Sequence, residues 1–167
     1  MIKSAFAAGA LCGLMLSACG TQSGFTTATR TSPAPIVRLP AAAASDVVLH
    51  ALGLIDVGYV FGGRNPEAGV DCSGLVTLVY EGATGLKLPH NAARIAQLSR
   101  PVEKEALRPG DLVFFNTQNA PFSHVGVYIG DQRFIHAPRS NSAVRIDSLN
   151  SRYFAQRFEG GRTLFED

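Results

Sequence analysis

The sequence predicts an α+β domain, with helices in its first half packed on an antiparallel sheet built from its second half. Apolar residues recur at helical spacing through Val47, Val48, Leu52 and Ile55, and again through Leu75, Val76, Leu78, Val79 and Tyr80. Beyond residue 110 the pattern changes to short, β-branched and aromatic runs divided by turn residues. No basic run stands out and the net charge is only +2, so no nucleic-acid partner is expected.

The start of the chain reads as an export signal. Lys3 gives a short positive beginning, Ala5 to Leu16 is an apolar stretch too short to span a bilayer, and small residues precede Cys19. Leu16-Ser17-Ala18-Cys19 resembles a bacterial lipobox, which implies lipidation of Cys19 after removal of residues 1–18. Gly20 follows, not the aspartate that resembles an inner-membrane retention signal. The outer membrane, facing the periplasm, is the expected location, with the membrane reached through the anchor. An ordinary cleaved signal is the alternative. Residues 19–44, rich in Thr, Ser, Ala and Pro, read as a flexible tether. The folded domain is expected over 45–167.

Within it, Ser45 predicts an N-cap for a first helix through Ile55, ended by Gly58. The Gly62-Gly63-Arg64-Asn65-Pro66 loop leads to Asp71, and a second helix is expected from about Cys72 to Glu81. Its early glycine, Gly74, lets another backbone pack closely. A third, shorter helix is expected over 91–98. Strands follow at 111–115, 124–129, 133–136 and 144–146, with turns at Pro109-Gly110-Asp111 and Gly130-Asp131 and a last short helix over 152–157. The Phe114-Phe115 pair is expected in the core.

Cysteine usage points to chemistry. Of three cysteines, Cys12 lies in the signal and Cys19 at its end, which leaves Cys72 as the one thiol of the folded part. A lone thiol in an oxidising compartment is a liability without a task. At a helix start, free N–H groups and the dipole favour its thiolate, and Asp71 is placed to cap that helix. A buried, inert cysteine is the alternative. His124 opens an alternating strand and His136 closes the next one, so antiparallel pairing brings their rings together. One would serve Cys72 as base while the other fixes its orientation. His50 reads as a helix-surface residue and His90 as a loop residue. Two histidines and a cysteine without a local Cys-x-x-Cys pair give little support to zinc, and no metal or cofactor is expected.

Five segments carry a further resemblance: Gly58-Tyr59-Val60-Phe61-Gly62-Gly63, Asp71-Cys72-Ser73-Gly74-Leu75-Val76, Pro109-Gly110-Asp111-Leu112-Val113-Phe114-Phe115, Ser123-His124-Val125-Gly126-Val127-Tyr128 and His136-Ala137-Pro138. In order and content they resemble the motifs of the NlpC-type cell-wall cysteine peptidases. The resemblance implies a papain-like fold and hydrolysis of peptidoglycan stem-peptide or cross-link bonds involving diaminopimelate. It maps the nucleophile onto Cys72, the base onto His124 and the orienting residue onto His136. It also maps a site-lining, oxyanion-assisting tyrosine onto Tyr59, and nucleophile-flanking, substrate-contacting positions onto Asp71 and Ser73. One departure stands out: many relatives carry arginine where His90 follows Leu88-Pro89, with Arg94 one helical turn later as the expected substitute. An amidase or acyltransferase on another amide, and a non-catalytic or activator-dependent wall-binding lipoprotein, are the competing readings.

Overall fold

A computed structural model describes residues 36–167. The expected signal, Cys12, Cys19 and most of the expected tether lie outside the described residues. The end of that tether does not: Val37 and Leu39 pack against the core, and Leu39 bridges Phe165. The packed fold therefore takes in chain upstream of Ser45.

A 3-10 turn, Ala41–Ala43, follows Pro40 and runs straight into α1 (Ala44–Leu52), which buries Val47 and Ala51. Ser45 sits inside this helix and does not cap it. The helix also stops earlier than Gly58 would suggest. Asp56 takes up φ 67°, and its N–H donates to Val144 O at 3.0 Å while Val144 N–H donates to Val57 O at 2.8 Å. Those bonds hold 56–57 against the far side of the domain, where a helix could not follow.

A short hairpin, β1 (Arg64–Asn65) and β2 (Gly69–Val70), feeds α2 (Cys72–Thr84), and α3 (Ala92–Leu98) follows. Both helices begin on a side-chain cap: Asp71 accepts from Gly74 N–H, and Asn91 accepts from Arg94 N–H. α2 runs three residues past Glu81 and ends on Gly85, whose left-handed φ of 74° lets its N–H turn back to Glu81 O.

The sheet comprises β3 (Arg100–Val102), β4 (Leu112–Phe115), β5 (His124–Gly130), β6 (Arg133–His136), β7 (Arg145–Ser148) and β8 (Phe158–Thr163) in spatial order β3-β8-β4-β5-β6-β7. Every neighbouring pair is antiparallel. The fold is α+β, helices on an antiparallel sheet, as expected. β3 and β8 lie outside the expected strands, and β8 is an interior strand. The short helix α4 (Arg152–Ala155) precedes it.

Alternation along β4 sorts its side chains onto two faces. Leu112 and Phe114 join Leu75, Val76, Val79 and Tyr80 under the helices, while Val113 and Phe115 join Tyr128, Phe134, Leu149 and Phe154 on the opposite face. Each large apolar side chain so buried contributes about 1.5–3 kcal/mol of transfer free energy. Asp111 precedes β4 and accepts from Arg108 N–H at 2.8 Å, which closes the turn into that strand.

Candidate active site

Cys72 is the first residue of α2 and is half-buried. Two groups position it. Asp71 Oδ1 accepts from Gly74 N–H at 2.7 Å and from the Ser73 hydroxyl at 3.0 Å, while Oδ2 accepts from Gly62 N–H at 3.0 Å. The Gly63 carbonyl presses on the same first turn: a Cβ at Gly74 would come within 2.0 Å of it. Gly74 is thus the close-approach position that lets the glycine loop seat against the helix that Cys72 opens.

Asp71 has one more partner. His90 Nε2 lies 2.8 Å from Asp71 Oδ1. His90 is a loop residue, as expected, and the bond gives it a role there: the loop before α3 reaches across to the cap of α2. His90 itself occupies this side of the site, and Arg94 is exposed. Burial acts against the Asp71 carboxylate, but the bonds from Gly74, His90 and Ser73 outweigh it and hold the group below its ordinary value. His50 is exposed on α1, as expected, with Nδ1 2.9 Å from Asp46 O.

His124 starts β5 and His136 ends β6. Their rings meet edge to face, with planes at 85° and His124 Nε2 2.7 Å from His136 Nδ1. Gly126 makes room for this, since a Cβ there would strike the Phe134 ring at 2.7 Å and approach His136 Cβ to 3.2 Å. His136 is fully buried, its ring centroid 4.8 Å from that of Phe134 and 5.1 Å from that of Phe154. Its Nε2 lies 2.8 Å from Asp147 Oδ2, and Arg145 Nε donates to the same oxygen at 2.9 Å. Asp147, like His90, has a place in the site that the sequence did not reveal.

α2 packs against β5, and the backbone N–H of Val125, next to His124, faces the Cys72 sulfur. The structure so sets Cys72 beside the start of β5, where His124 meets His136, with Asp71 and Ser73 beside the cysteine. Tyr59 is half-buried near the same atoms: burial raises its hydroxyl, and the charges of Cys72 and Asp71 raise it further.

The resting protonation differs from the expected thiolate. Burial pushes the Cys72 thiol up to about 11 and Asp71 adds to the rise, while N–H groups of Val125, Ser73 and Cys72 offset only part of it. Burial and the adjacent His136 hold His124 down at about 3. Burial also lowers His136, against the pull of Asp147. The helix start favours the anion, yet desolvation wins, and the pair rests as thiol and neutral imidazole. Among the described residues, no group of three or more His, Cys, Asp or Glu side chains is arranged to hold a metal ion.

The model of the NlpC/P60 family matches residues 56–163. The Bacillus subtilis (strain 168) gamma-DL-glutamyl hydrolase is 42% identical over 124 residues, covering 74% of this chain and 30% of that protein. The murein DD-endopeptidase MepH of Escherichia coli (strain K12) is 39% identical over 109 residues, covering 64% of this chain and 40% of that protein. This chain thus spans well under half the length of either relative. A crystal structure of a Staphylococcus aureus NLP/P60-family protein similar to lipoprotein aligns with TM-score 0.67 at 30% identity, covering 83% of this chain and 46% of that one.

Proposed function

Because the chain belongs to the NlpC/P60 family, we propose that it is a peptidoglycan endopeptidase with Cys72 as nucleophile and His124 as base. The observation that carries this reading is the seating of Cys72 at the start of α2 against the β5 backbone at Val125, directly beside a histidine already hydrogen-bonded to a second one. The relative named as a murein DD-endopeptidase supports a wall-peptide substrate. The bond cleaved is a stem-peptide or cross-link bond involving diaminopimelate.

The neutral resting pair dictates the order of events. As Cys72 Sγ attacks the scissile carbonyl, its proton passes to His124, so charge develops only when substrate is in place. The tetrahedral oxyanion is met by the Cys72 N–H at the open end of α2, with the Tyr59 hydroxyl beside it. Collapse expels the amine, which takes the proton back from His124, and leaves a thioester. Water activated by His124 hydrolyses that thioester, releasing the carboxylic acid and restoring the thiol. His136 keeps the ring of His124 presented, and Asp71 and Ser73 flank the bound peptide.

We place this domain behind a signal at 1–18 and a lipid anchor on Cys19, which would hold it at the outer membrane facing the wall. The test is kinetic. His124→Ala should abolish muropeptide cleavage, and His136→Ala should leave a small residual rate with the fold intact by circular dichroism. Full activity in His124→Ala would rule out this assignment of the base.

A further inference from the structure

A hydrogen-bond chain behind His124 fixes where the hydrogens of both buried histidines sit. Three links run from the protein edge inward: Arg145 Nε to Asp147 Oδ2 at 2.9 Å, His136 Nε2 to the same oxygen at 2.8 Å, and His136 Nδ1 to His124 Nε2 at 2.7 Å. An ionised carboxylate has no proton to give. The Arg145 guanidinium beside it and the bond from His136 keep Asp147 below its ordinary value. His136 Nε2 must therefore carry hydrogen.

A neutral imidazole has one N–H and one lone pair. With its proton on Nε2, His136 offers a bare Nδ1, which accepts. His124 Nε2 lies within hydrogen-bond distance of that acceptor and so must carry the hydrogen. One lone pair then remains in the chain, on His124 Nδ1.

We propose that Asp147 is a positioning residue that, through His136, fixes the tautomers of both histidines. The inference rests on the reading of Cys72 and His124 as nucleophile and base. Register explains how a strand-edge carboxylate reaches so far in. On β7, Arg145 pairs with His136 and Asp147 pairs with Phe134, so Asp147 sits diagonally across the same strand pair from His136. The bonds of Asp147 go to His136 and Arg145, so it acts through His136.

Two measurements test this on the full chain. The first is the tautomeric state of both rings by long-range 15N–1H correlation in the Cys72→Ala variant, where no thiol competes for the proton. The expected result is hydrogen on Nε2 of both His124 and His136. Adding Asp147→Leu should shift the His136 signals toward a mixture. Hydrogen on His124 Nδ1, or tautomers indifferent to Asp147, overturns the proposal. The second is turnover of muropeptides by the otherwise unaltered protein. Asp147→Leu should lower kcat about tenfold with KM within about twofold, short of the ~10⁴-fold drop that follows loss of a carboxylate bonded directly to a catalytic base. Asp147→Asn retains an oxygen that accepts from His136 and should restore most of the rate. Equal kcat in all three proteins overturns the proposal, and if Asp147→Leu fails to fold, Asp147→Ala, which also removes the acceptor, is read against the same outcomes. The expected tautomers in a protein inactive on every wall substrate would instead sink the assigned activity and leave the proton placement standing.

Discussion

His90 Nε2 lies 2.8 Å from Asp71 Oδ1, so the cap of the helix that Cys72 opens is also the anchor of the loop before α3. One carboxylate thereby joins three segments: the glycine loop through Gly62, the first turn of α2 through Ser73 and Gly74, and His90.

Loss of that carboxylate should register first as stability. Asp71→Ala removes an N-cap, worth about 0.5–2 kcal/mol, and leaves two backbone N–H groups without their acceptor. An unfolding free energy about 1–2 kcal/mol or more below wild type is expected in urea titration. Asp71→Asn keeps a capping oxygen and should lose less. Equal stability of all three would mean that Asp71 serves substrate alone.

The thiol should behave as a poor nucleophile toward small reagents at neutral pH. With burial pushing Cys72 up to about 11, iodoacetamide should label it slowly at pH 7, and the rate should climb through the alkaline range. A rate already level below pH 7 would reveal a resting thiolate and contradict the neutral-pair mechanism. A chelator should change nothing.

Buried neutral histidines give the protein an acid-sensitive fold. His124 falls from 6.5 to about 3 and His136 is lowered as well, so both bind protons more readily when unfolded. The contribution of His124 is fully present above about pH 6.5 and is lost as pH falls from there toward 3, and His136 adds a loss in the same direction. The slope approaches about 1.4 kcal/mol per pH unit for each proton taken up on unfolding. Asp71 and Asp147, both lowered, add a second loss only below the ordinary carboxylate value near 3.8. Urea midpoints between pH 7 and 4.5 should decline in wild type and decline less in His124→Gln. Identical slopes would argue that His124 is solvated.

The difference between what was and was not legible follows from the range of the interactions. Cys72, His124 and His136 were readable because each sits at an element boundary marked locally: a capping Asp71, a strand beginning, a strand end. Gly74 was readable because a glycine in a helix's first turn costs propensity, and close packing by another backbone repays that cost. β8 was not, since Phe158 to Thr163 holds Gly160 and Gly161 in place of β-formers; Gly161 is there because a Cβ would lie 2.7 Å from Leu107 Cδ2. That is a tertiary reason, invisible to local propensity. Asp147 and His90 escaped for the same cause. Each looks like an ordinary polar residue until the β6–β7 register, or the approach of the loop at 90 to α2, supplies its partner. Ser45 misled because a chain already turning at Ala41–Ala43 enters its helix with no cap.

The central claim is that Cys72 hydrolyses wall peptides. Purified peptidoglycan should be digested with the full chain beside its Cys72→Ala variant, with soluble products identified by mass spectrometry. New muropeptides from the wild type alone, cut at a bond involving diaminopimelate, are the expected result. The same products from both proteins, or none from either, would contradict it.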